Sequence, residues 1–70
     1  MERYSTYVSP MRNELMVFGN IDGEQKLLFS VNGFEENINF TSMSKQERIE
    51  YVSSCFGDVI DDLLAGLVSE

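Results

Sequence analysis

Asp58, Asp61 and Asp62 set three carboxylates on adjacent turns of what reads as a helix. Oxygen ligands so spaced are what Mg²⁺ or Ca²⁺ binds, although Mg²⁺ sites generally recruit substrate phosphates as well. A solvated acidic face gives the same pattern and is the commoner outcome. The one thiol, Cys55, has no histidine to deprotonate it, because the chain contains none. It reads as a small packed hydrophobe rather than a nucleophile. One Cys without His builds neither a zinc site nor an intrachain disulfide. Asp22-Gly23-Glu24 lacks the length and spacing of a calcium loop, and Gly19, Gly23 and Gly33 read as turn glycines, not as a phosphate loop. The expectation is therefore no catalytic residue, no metal, no cofactor and no enzyme.

Charge narrows the partners. Twelve acids oppose five bases in 70 residues, a net charge of −7. Such a surface repels nucleic acid, and five scattered bases make no phosphate-tracking patch. The charge serves solubility, or it complements a basic partner. No run approaches the roughly 20 apolar residues of a membrane span, and MERYSTYVSP has no apolar stretch that would serve as a signal peptide. With a single cysteine, the expected compartment is a reducing cytoplasm.

The elements that would position these groups begin at Gln25–Phe40. Two apolar-rich runs flank Asn32-Gly33, the pair that best suits the two positive φ angles of a type I′ hairpin turn. That turn predicts Val31 opposite Phe34, Phe29 opposite Glu36, Leu27 opposite Ile38 and Gln25 opposite Phe40. Leu27, Phe29, Val31, Phe34, Ile38 and Phe40 then share one face, with Glu36 an awkward carboxylate among them. A second turn at Asp22-Gly23 predicts Phe18 opposite Leu27 and Met16 opposite Phe29, which adds both to the core face. A three-stranded antiparallel meander over 12–40 results, four-stranded if 1–10 joins as a strand rather than an arm. Leu15, Val17 and Leu28, with Glu35 on the rim, fall on the other face as an exposed binding patch unless Tyr4, Tyr7 and Val8 fold over it.

Helix follows over 44–68. Ser44 and Glu47 form a capping box, and Ile49, Val52, Phe56, Val59, Ile60, Leu63 and Leu67 make one apolar stripe. Twenty-four residues would rise about 36 Å, longer than a seven-residue strand at about 23 Å. Ser53, Ser54 and Gly57 are weak helix formers near the midpoint. The spacing thus predicts either a break around 54–58, making two short helices, or an overhanging end, with Gly66 as a stop. The fold class is α+β: a β-meander, then one long or two short C-terminal helices packed on one sheet face.

Two functions suit these features. One is a small acidic protein-binding module, an inhibitor or regulator of a basic or nucleic-acid-binding protein. Glu47, Glu50, Asp58, Asp61 and Asp62 would mimic nucleic-acid charge. By analogy of size and charge, phage and mobile elements encode such inhibitors of host defence or transcription. The other is an assembly subunit that self-associates through Leu63, Leu64 and Leu67 of the C-terminal helix; on either reading a homodimer is expected.

Overall fold

The structure, a computed structural model, describes residues 3–68. It is an α+β fold: three antiparallel strands in one sheet, then a C-terminal helix. Strand β1 is Tyr4–Ser9, β2 is Glu14–Ile21 and β3 is Glu24–Asn32, in the spatial order β1-β2-β3. The N-terminal segment is therefore an edge strand of the meander, and β2 is the centre. Asp22 (φ 54°) and Gly23 (φ 81°) supply the two positive φ angles of the β2–β3 turn, and Ile21 pairs with Glu24 across it.

The register from this turn runs as predicted to Phe18 opposite Leu27 and then slips. Val17 pairs with Phe29 and Met16 with Ser30, which leaves Leu28 as the extra residue of a β-bulge. The bulge lets Leu28 and Phe29 both pack towards the core, beside Val31. Leu15 and Val17 are completely buried there. This overturns the expected faces. Leu15, Val17 and Leu28 are not an exposed patch but the sheet's contribution to the core. Met16 and Phe18 lie outside the core cluster, with Tyr7 and Leu27 exposed. In a strand each one-residue step changes face, so a bulge re-sorts everything beyond it.

Asn32-Gly33 does not make a hairpin, so 34–40 is not a strand. Asn32 is instead the N-cap of a one-turn helix, α1 (Gly33–Glu36), and its side chain accepts from Phe34 N (2.9 Å) and Glu35 N (3.3 Å). Glu35 and Glu36 stand in the first turn, where the helix dipole favours acids. Asn37 closes the turn in the left-handed region (φ 61°). Glu36 is exposed, so its carboxylate is not trapped in the core; Phe34, expected in the core, is 70% exposed.

What replaces the missing hairpin is Asn13. It is buried with φ 50°, in the β1–β2 turn. Its Nδ2 donates to Ile38 O (2.7 Å), its Oδ1 accepts from Phe40 N (2.8 Å), and its backbone carbonyl accepts from Gly33 N (2.8 Å). One side chain thus satisfies a stretch of backbone that has no neighbouring strand. Gly33 is needed for this closeness: a Cβ there would collide with the Asn13 amide and carbonyl. Phe40 then starts a one-turn 3-10 helix (Phe40–Ser42) and is completely buried.

Helix α2 spans Lys45–Val68. The capping box forms as expected: Glu47 N donates to Ser44 Oγ (3.1 Å) and Ser44 N to Glu47 Oε1 (2.7 Å). Phe56 leaves helical geometry (φ −131°, ψ 15°), a kink inside the predicted 54–58 break. Gly66 does not stop the helix. At the kink, the Phe56 ring sits 5.1 Å from that of Phe29 and 6.0 Å from Tyr51, which in turn lies 5.5 Å from Phe40. This aromatic row ties sheet, kink and 3-10 turn together. Beyond the kink the buried positions are Ile60 and half-buried Leu64, not Val59 and Leu63, because the break rotates the stripe. Leu64 reaches Gly19, where an added Cβ would come within 2.8 Å of it. At the other end Tyr4 donates to Ile49 O (3.3 Å), and Arg48 Nε donates to Thr6 Oγ1 (3.2 Å).

Candidate interaction surfaces

The acidic face of α2 is real in three dimensions. Glu47, Glu50, Asp58, Asp61 and Asp62 are all exposed, on the side of the helix away from Val52, Phe56 and Ile60. Arg48 is the last base in the chain. From Glu47 to Asp62 the axis rises about 23 Å, or roughly one carboxylate per 5 Å; one strand of duplex DNA carries a charge every 3.4 Å or so. Three of the five are partly engaged. Glu50 accepts from Gln46 Nε2 (3.2 Å) on the same helix. Glu47 holds the cap, and Asp61 pairs with Arg3 at 2.5 Å. The Arg3–Asp61 pair is more than half exposed on both sides and therefore weak. Asp58 and Asp62 carry no such ion pair among the described residues.

The expected self-association stripe lies wholly beyond the kink and is split between surface and core. Leu63 is at the surface, but Leu64 packs on the core and is not free for a partner. Leu67 lies beyond the last residue whose side chain is described. Glu35 of the expected sheet patch is exposed, but on α1 rather than on the sheet.

Two apolar surfaces were not foreseen. The first is the sheet face opposite α2. Here Tyr7 (55% exposed) pairs with Met16, and Phe18 pairs with Leu27 (58% exposed). Polar residues flank them, Ser5, Ser9, Glu14, Asn20, Gln25, Ser30 and Asn32, and Gln25 Nε2 donates to Ser5 Oγ (3.2 Å). The second is the end of the sheet where Met11 (93% exposed) and Phe34 project. Phe34 forms a wall of two open clefts of about 460 Å³ each. One is lined also by Asn13, Asn37 and Asn39, the other by Met11, Arg12 and Glu14. A sequence signal existed for the second surface. Asn32 with Glu35 three residues on is a helix-capping pattern that competes with the Asn-Gly hairpin reading.

Cys55 is exposed rather than packed, which corrects the expectation drawn from its place near the stripe. Tyr51 titrates above its ordinary value, chiefly because burial disfavours the phenolate, with Cys55 and Glu36 adding negative potential. Among the described residues no group of three or more His, Cys, Asp or Glu is placed to hold a metal ion. Among them, too, no helix is long and apolar enough to cross a membrane. Compared with family models, curated proteins and solved structures, the chain shows no match.

Proposed function

We propose that this chain is a protein-binding module of the cytoplasm, an inhibitor or regulator that presents the acidic face of α2 to a basic surface on a nucleic-acid-binding protein. The observation that carries this reading is the sorting of charge on α2. Every exposed ionised side chain described between Ile49 and Gly66 is acidic, while the opposite stripe is committed to the core. A helix fixed to a sheet holds those carboxylates in a preset array, so less order is lost on binding. Complementary charge of this kind speeds encounter and selects basic partners. The exposed, unpaired Cys55 suits a reducing compartment. The competing assembly role through Leu63, Leu64 and Leu67 is weakened by Leu64, which already packs on the core.

The test is capture of partners from cell lysate by the tagged full chain and by a variant carrying Asp58→Asn, Asp61→Asn and Asp62→Asn. A basic partner should bind the variant roughly 10- to 100-fold more weakly, since exposed charge pairs contribute up to about 1 kcal/mol each. Its binding to the unmodified chain should weaken steeply as salt rises from about 0.05 to about 0.5 M. A partner held equally by both proteins, or indifferent to salt, would overturn the reading.

A further inference from the structure

The acids of this chain avoid one surface. Ten of the twelve are described: Asp22 and Glu24 lie at the β2–β3 turn, two on α1, five on α2 and one, Glu14, on β2. On the sheet face opposite α2 the described rows hold Ser5, Tyr7, Ser9, Met16, Phe18, Asn20, Gln25, Leu27, Ser30 and Asn32, and one carboxylate, Glu14. Glu14 sits at the end of β2, only 27% exposed, with the Arg12 guanidinium 3.9 Å away. A protein with a net charge of −7 thus has a neutral face with an apolar centre, and the central pair Met16 and Phe18 lies outside the core cluster. An apolar face of this sort marks an interaction surface. Its electrostatics name the occupant. Another copy of the same acidic chain is repelled by the nine carboxylates at the β2–β3 turn and on α1 and α2, and meets no net charge here.

We infer that the open face of the sheet is the interface of a homodimer, in which two three-stranded sheets stack face to face about a two-fold axis near Met16 and Phe18. Stacked sheets interdigitate at about 10 Å separation, and a two-fold contact needs only one self-complementary patch. Three strands at about 4.8 Å and eight residues at about 3.4 Å give a face of roughly 14 by 27 Å. That is near 400 Å² per copy, about half the ground of a standard interface. The dimer is accordingly reversible, with dissociation in the micromolar range. Salt strengthens it, because screening relieves the repulsion between two bodies of charge −7. This is the reverse of the salt response of the acidic α2 face, so the two readings stand or fall separately.

Sedimentation equilibrium of the purified full chain, from about 10 to about 500 µM at about 0.05 and about 0.5 M salt, tests it. The expected result is a monomer–dimer equilibrium that tightens several-fold at the higher salt. Leu27→Glu should raise the dissociation constant at least about tenfold with an unchanged circular dichroism spectrum. Tyr7→Ser, a milder change on the opposite edge strand, should weaken the dimer in the same direction if the glutamate disturbs folding. Leu63→Glu on α2 should leave it intact. A chain that stays monomeric throughout, a dimer that survives both sheet variants, or one lost in Leu63→Glu alone would overturn the assignment.

Discussion

Leu15 and Met16 are neighbours on the same central strand, yet one is wholly enclosed beneath α2 and the other stands on a face that no described element covers. The enclosed face meets a helix that brings Val52, Phe56, Ile60 and Leu64, and it is tied at both ends by hydrogen bonds, Tyr4 to Ile49 and Asn13 to Ile38 and Phe40. The open face has comparable side chains in Tyr7, Met16, Phe18 and Leu27 but no second layer among the described residues. Hydrophobic content therefore does not decide which side of a small sheet becomes core. What decides it is where the next element can be fastened, and here the fastenings are polar.

Paired truncations on β2 test that contrast most severely. Leu15→Ala removes fully buried atoms and should cost about 2–5 kcal/mol. Met16→Ala one residue on should cost less than about 1 kcal/mol of monomer stability. Urea unfolding of dilute protein measures both, and equal losses would mean the two faces are not distinct. Asn13→Ala comes next. It strands the Ile38 carbonyl and the buried Phe40 N–H, for an expected loss of about 2–4 kcal/mol, although no apolar area of note is removed. A loss under about 0.5 kcal/mol would show that 37–42 holds its place without that side chain.

The smallest effect is a pH response. Tyr51 holds its proton more tightly in the folded chain than in the unfolded one, because burial and the nearby Cys55 and Glu36 raise its titration. Its contribution to stability is thus whole below its ordinary value near 10.0 and is lost as pH climbs through the raised one. Tyr51→Phe keeps the ring contacts to Phe40 and Phe56 and abolishes the titration. Thermal unfolding followed at rising alkaline pH should find the variant losing stability less steeply than the unmodified chain; parallel curves would remove Tyr51 from the explanation.

Much of this was legible from local chemistry. Asp22-Gly23 made its turn, Ser44 and Glu47 made their cap, and Ser53, Ser54 and Gly57 announced the break realised at Phe56. The acids of α2 face solvent as their spacing required. Asn32-Gly33 misled, because Asn serves a hairpin turn and a helix cap equally well, and the choice between them was made by Asn13, nearly twenty residues away. A single bulged residue, Leu28, then exchanged the predicted faces of β2.

Sequence alone determined what depends on neighbours within a few positions: the class α+β, the helix start and its weak point, and an acidic exterior without a histidine. Tertiary structure decided which side of the sheet was roofed, which leucines of α2 stayed free, and that Phe34 would project rather than pack. Alternation along a strand fixes two possible faces but not their destinies. Choosing between them takes long-range contacts, here one bulge and one buried amide, whose energies exist only once the chain has closed on itself.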